Sequence, residues 1–197
     1  MSNREGRLMR TTSTNFYATR DEATEKLSIE GYFAVFNSNY EIAPDMSESI
    51  APGAFDNTIA DDVRALINHD TTLVLGRTKA GTLQLRTDNH GLWGHIDINP
   101  NDTDAMNLYN RVQRGDVDQC SIGFDILNEE TDFREDGSVH WTIKEVKLYE
   151  VSACTFPAYE ETNIAARTKE KEDLVRRKNG AWKESVLKKL KGESDNA

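Results

Sequence analysis

Between Val63 and Ile98 the chain repeats one pattern, a short apolar or β-branched run followed by a turn. "VRALI" (63–67) runs into "NHD", and "TTLVLGRT", "GTLQLRTD" and "LWGHIDI" follow, with the turn "DNHG" before the last. Runs this short, punctuated this often, cannot be helices and commit the middle of the chain to a meander of strands. Upstream, "LSIEGYFAVF" (27–36) is apolar on both parities, as a strand covered on two sides should be. A short helix is expected from Pro52.

One internal segment carries clear helical signals. In "NDTDAMNLYNRVQRGDV", Asp102 or Thr103 can cap the start, Met106, Tyr109 and Val112 form an apolar stripe, and Gly115 ends it. Beyond it lie "DVDQCSIGFDI" (116–126), a polar hairpin around "EDGS", and "VHWTIKEVKLYEVSACTF", long enough for one bent strand or two. The expectation is a mainly β protein with a few helices, an antiparallel barrel or sandwich.

The 197 residues suffice for one domain and some tail. A net charge of −10 argues against nucleic acid or an anionic membrane as partner and favours proteins or peptides. Cys120 and Cys154 form neither a disulfide framework nor a zinc quartet, which points to a reducing compartment. The start "MSNREGRLMRTT" has no apolar signal core, and no run approaches the ~18 apolar residues of a membrane span, so a soluble cytoplasmic protein is expected. Residues 1–26 read as a frayed, flexible start and 27–166 as the folded domain. Residues 167–197 read as a loosely attached basic tail, either disordered or helical with a break at Asn179-Gly180. From Arg167 to Lys191 there are ten Lys/Arg against four Asp/Glu, whereas residues 1–166 carry 14 against 28.

Of the four histidines, His90 falls in a turn and His95 and His140 in strands, and no pair has metal-ligand spacing; no metal or cofactor is expected. His69 differs in context, because it follows a strand end directly, where a side chain is held rigidly yet can reach a cleft. A serine in an apolar strand is costly unless its hydroxyl has a partner, and Ser121 is such a serine. Hydrolysis by serine needs a hydroxyl, an imidazole to take its proton, and a group that orients the imidazole. Ser121 and His69 supply the first two. Glu150, an acid within the apolar run "KLYEVSACTF", is the foremost candidate for the third, with Glu145 and Asp125 behind it.

In order and approximate spacing, "EGYFAVFN", "IAPGAFD", "NHD" with "LGRT", "GTLQLRTDNHGL", "RVQRGDVDQCSIGF" and "LYEVSACTFPAYEET" resemble the tailed-phage prohead maturation proteases over about residues 27–165. That family resembles the herpesvirus capsid assembly proteases, which implies an antiparallel β-barrel wrapped by a few helices. It implies a serine endopeptidase inside the immature capsid, in the host cytoplasm, that cleaves the scaffold part of the major capsid protein and itself and is lost from the mature virion. Self-association is compatible with it. Carried over by position, the catalytic set is His69, Ser121 and Glu150, with Ser121 bonded to His69 across the barrel wall. The third member is a second histidine in the herpesvirus relatives, and His140 is the one histidine after Ser121. Two rival readings are an inactive assembly factor on the same fold and a thiol protease using Cys120. Arg77 of "LGRT" is a candidate oxyanion donor, with an ordinary ion pair as its alternative.

Overall fold

The computed structural model describes residues 8–13, 16–156 and 161–190 and divides into two units, 1–159 and 160–197. The first unit begins with strands β1 (Leu8–Ser13), β2 (Tyr17–Arg20), β3 (Leu27–Val35), β4 (Tyr40–Ala43) and β5 (Met46–Ile50). β6 (Arg64–Ile67), β7 (Asp70–Arg77), β8 (Leu83–Thr87) and β9 (Gly91–Ile98) are the expected short strands, but in place of one meander they form two hairpins, β6–β7 and β8–β9, in different sheets. Helix α1 (Thr103–Arg114) separates them from β10 (Gln119–Phe133) and β11 (Val139–Cys154). The expected helix from Pro52 is a series of tight turns, with Thr58 and Ile59 N–H both donating to Phe55 O.

The barrel expected from the resemblance is replaced by two sheets, and no pairing among the described strands closes either one. The smaller runs β2-β3-β9-β8, all antiparallel. The larger has β1, β10 and β11 antiparallel in that order, while the far edge of β11 is shared. β5 pairs in parallel with its first half and β6 in parallel with its second, with β4 and β7 outside them. The cause is the length of β11: sixteen residues give its edge room for two short strands in succession.

β3 is covered on both faces, as its apolar parities require. Where it meets β9, Gly31 lies opposite Gly94. A Cβ on Gly94 would come within 2.6 Å of the Phe33 ring, so the glycine lets an aromatic lie over the strand. The core draws Ile29, Phe33, Leu92 and Ile96 from one sheet, Ile122, Phe124 and Val151 from the other, and Leu108 and Val112 from α1. α1 matches its sequence signals: Asp102 caps it by accepting from Asp104 and Ala105 N–H, and Gly115 ends it at φ 80°.

The start of the chain departs from expectation. Of residues 1–26, 1–7 and 14–15 lie outside the described residues, but β1 and β2 pair into the two sheets. Leu8 and Phe16 are buried, and Phe16 packs edge-on against Phe33 at 5.6 Å. Two buried side chains at about 1.5–3 kcal/mol each outweigh a polar composition.

The second unit holds α2 (Glu161–Leu190), which continues through Asn179 and Gly180 without the expected break. Ion pairs one turn apart, Arg167 with Glu170 and Asp173 with Arg176, support it. One glycine costs a helix only about 1 kcal/mol, too little to interrupt thirty residues. Residues 157–160 of the "FPAYEET" motif and 191–197 of the tail lie outside the described residues.

Candidate active site

Ile67 of β6 pairs with Asp70 of β7, leaving Asn68 and His69 as a two-residue connection. Their φ angles are 50° and 61°, and two-residue hairpins favour such positive values because the turn's twist then matches that of the strands. Asparagine and histidine take up this conformation more readily than most residues, but each, in place of the usual glycine, still carries some strain. The end of β11 fastens the turn. Asn68 N–H donates to Ala153 O at 2.9 Å, Thr155 N–H donates to Asn68 Oδ1 at 2.9 Å, and His69 N–H donates to Ser152 Oγ at 3.3 Å. Three bonds of about 1 kcal/mol each can offset a left-handed cost of about 1–2 kcal/mol per residue.

Strand alternation assembles the rest. Glu150, Ser152 and Cys154 are alternate residues of β11 and share one face. Glu150 is 2% exposed and both its oxygens are occupied: Oε1 by His69 Nδ1 at 2.7 Å and Oε2 by the Ser152 hydroxyl at 2.6 Å. With Nδ1–H donating to the carboxylate, Nε2 is left as an acceptor. It lies 3.7 Å from Cys154 Sγ. Burial first, then the Glu150 charge, pushes the Cys154 thiol up to about 12, so it stays a neutral S–H, with Ser152 O at 3.9 Å as a second neighbour besides Nε2.

Ser121 lies in β10 directly opposite Ser152, on the face that carries Glu150 and Cys154. It is fully buried, and its hydroxyl has no hydrogen-bond partner among the described residues. The expected bond from Ser121 to His69 is therefore not formed in this structure, where Nε2 is turned to Cys154. Gly123, the Cα partner of Glu150, adds no side chain to the same face.

The other candidates are engaged elsewhere. Glu145 accepts from Asn57 Nδ2 at 2.9 Å, and Asp125 accepts from the Tyr149 hydroxyl at 2.6 Å. His140 sits between Ser47 and Ser49 of β5, at 2.8 and 2.9 Å. Cys120 donates to Tyr32 O, on the opposite side of β10 from Ser121. Arg77 grips Asp62 through two bonds of 2.6 Å, and this hydrogen bonding holds the Asp62 carboxyl down at about 2. The guanidinium thus has the ordinary ion pair that was its alternative reading. Ser152 and Cys154 were missed as site residues, although the spacing of two in "EVSAC" already put them on the face of Glu150.

Among the described residues no cluster of His, Cys, Asp or Glu could hold a metal, and no helix is long and apolar enough to cross a membrane. The site offers an imidazole backed by a buried carboxylate, next to the strand of a serine, which is equipment for moving a hydroxyl proton.

Comparison with known proteins agrees with the resemblance. The prohead protease of Enterobacteria phage HK97 is 33% identical over 141 residues, which are 70% of this chain and 58% of that relative. The chain thus spans under two thirds of that relative's length. The capsid assembly protease of bacteriophage T4 aligns in structure at a TM-score of 0.48 and 10% identity, covering 76% of this chain and 97% of that one. The model of the caudovirus prohead serine proteases matches residues 14–176. The chain belongs to that family.

Proposed function

We propose that the chain is a serine endopeptidase that cleaves the scaffold part of a phage capsid protein, and itself, during prohead maturation. The observation that carries the reading is the 2.7 Å contact between His69 Nδ1 and buried Glu150, made from a strained turn and beside the strand of Ser121. Such strain persists where surrounding structure enforces it, and functional sites are where it clusters.

In this mechanism the imidazole turns from Cys154 toward Ser121, and Nε2 accepts the hydroxyl proton as Oγ attacks the scissile carbonyl carbon. Glu150 remains ionised and stabilises the imidazolium. The imidazolium then protonates the leaving amine as the C–N bond breaks, which leaves an ester on Oγ. A water, deprotonated by the same Nε2, attacks that ester and releases the acid and the Ser121 hydroxyl.

The setting proposed is the immature shell in the host cytoplasm, with loss from the mature virion. The basic α2 would dock on an acidic scaffold segment, with self-association as an accessory contact. Confinement with substrate raises its effective concentration, so a slow enzyme suffices. A chain truncated after about Arg167 should keep its activity on a short peptide but be packaged poorly; normal packaging of that chain would overturn the docking role.

Co-expression with the capsid protein, followed by mass measurement of both chains, tests the activity. Ser121→Ala and His69→Ala should each abolish cleavage in folded protein, by several powers of ten, and the double variant should lose little more. Substantial cleavage by either single variant overturns the assignment, and an unaltered assembly role for Ser121→Ala would favour an inactive assembly factor. A second reading, a thiol nucleophile at Cys154, is favoured by the 3.7 Å contact with Nε2. Against it stands the raised thiol titration, and activity that survives in Cys154→Ala would exclude it.

A further inference from the structure

We propose that Ser152 is the positioning residue of this site, locking the Glu150 carboxylate and the His69 turn into one rigid unit. The inference rests on the catalytic reading above and adds a residue to it. The Ser152 hydroxyl donates to Glu150 Oε2 at 2.6 Å and accepts from His69 N–H at 3.3 Å. Glu150 Oε1 in turn receives Nδ1 of the same histidine at 2.7 Å. The links close a ring: backbone of His69 to Ser152, Ser152 to Glu150, Glu150 back to the imidazole.

That closure has a mechanical consequence. A carboxylate held at one oxygen pivots about its last torsion, and an imidazole held at one nitrogen pivots with it. Holding the second oxygen removes the pivot, and tying the same hydroxyl to the histidine backbone fixes the base relative to its own main chain. Ser152 is fully buried, so no water replaces a lost bond cheaply. Its removal leaves a buried carboxylate oxygen and the part-buried His69 N–H without their shared partner. Ser121 lies directly opposite Ser152 in register, so movement there is felt by the proposed nucleophile.

Two readouts test the proposal, one of them independent of catalysis. In a Ser121→Ala background, which cannot cleave itself, the low-field Nδ1–H proton resonance of His69 reports its bond to Glu150. It should be sharp with Ser152, broadened or shifted upfield in Ser152→Ala, and restored in Ser152→Thr, which keeps the hydroxyl. In the active chain, Ser152→Ala should lower kcat on the order of 10- to 100-fold with KM held, the size expected when a base is misplaced by an ångström or less. Ser152→Thr should recover most of it. A resonance and a kcat that are unchanged in Ser152→Ala overturn the proposal, as does a kcat loss that only follows the folded fraction seen by circular dichroism. Should Ser152→Ala not fold, Ser152→Cys carries the test, its weaker donor giving a smaller change of the same kind, and an unchanged resonance there overturns the idea. Wild-type protein that cleaves nothing while the resonance responds to Ser152 would count against the protease reading and for the positioning role.

Discussion

Two histidines are held along β11, and they are held in opposite ways. His140, in the strand itself, has a serine hydroxyl at each ring nitrogen, Ser47 at 2.8 Å and Ser49 at 2.9 Å. His69, at a turn that abuts the other end of the strand, has a carboxylate at one nitrogen and, among the described residues, a thiol at 3.7 Å at the other. Both have serines at hand, so a serine near a histidine is not what makes a site. The distinction lies in the partner of the far nitrogen. A carboxylate stabilises the imidazolium that forms when a proton is taken, and hydroxyls do not. Burial accordingly pushes His140 below its ordinary value of 6.5, toward the neutral form.

The comparison breaks most visibly at the carboxylate. Glu150→Gln keeps the shape but removes the charge, and it should lower kcat/KM on the order of 10³- to 10⁴-fold with the fold intact. Glu145→Gln, whose side chain meets Asn57, should be nearly silent. Peptide turnover checks both, and a reversed order would transfer the role to Glu145.

At His140 the effect should appear in stability and leave cleavage unaltered. Its folded state binds a proton less readily than the unfolded chain does, so the unfolded state takes up more protons as pH falls below about 6.5. This stability contribution is complete above that value and is lost as pH falls through the lower folded value. Thermal unfolding of wild type should therefore weaken from neutral pH toward pH 5 more steeply than that of His140→Gln. A parallel course for the two proteins would show that His140 is not the group involved.

The smallest change is expected at Cys154. Replacing it with alanine frees Nε2 from its resting neighbour at the cost of a small buried void. Turnover should stay the same or rise a few-fold, since a side-chain contact of this kind is worth about 1 kcal/mol. A loss of more than tenfold would make the thiol a participant.

Much of this site was legible because its parts obey local rules. A histidine directly after "VRALI" must stand at a strand end, and an acid inside "KLYEVSACTF" must have a partner. Period two also placed Ser152 and Cys154 beside Glu150, but neither residue type announces a role until its neighbour across the turn is known. What was not legible depends on pairings distant in sequence. The parallel contacts of β11 with β5 and β6, which turn an expected barrel into two sheets, leave no trace in either segment's pattern. β1 was hidden for a related reason, since the polar composition of residues 1–26 conceals two buried side chains, Leu8 and Phe16. The unbroken course of α2 shows the converse error, a local breaker given too much weight against its long helical surroundings.

The partners of His69 stand far along the chain: Glu150, Ser152 and Cys154 follow it by 81, 83 and 85 positions. A ribosome adding roughly 5–20 residues per second needs several seconds to make that interval. Contacts of such high order also close slowly once the chain is complete. A nascent copy therefore carries His69 and Ser121 for a time without Glu150, the residue that His69 pairs with in the folded chain. That lag is a built-in latency, written into the order in which the residues are synthesised.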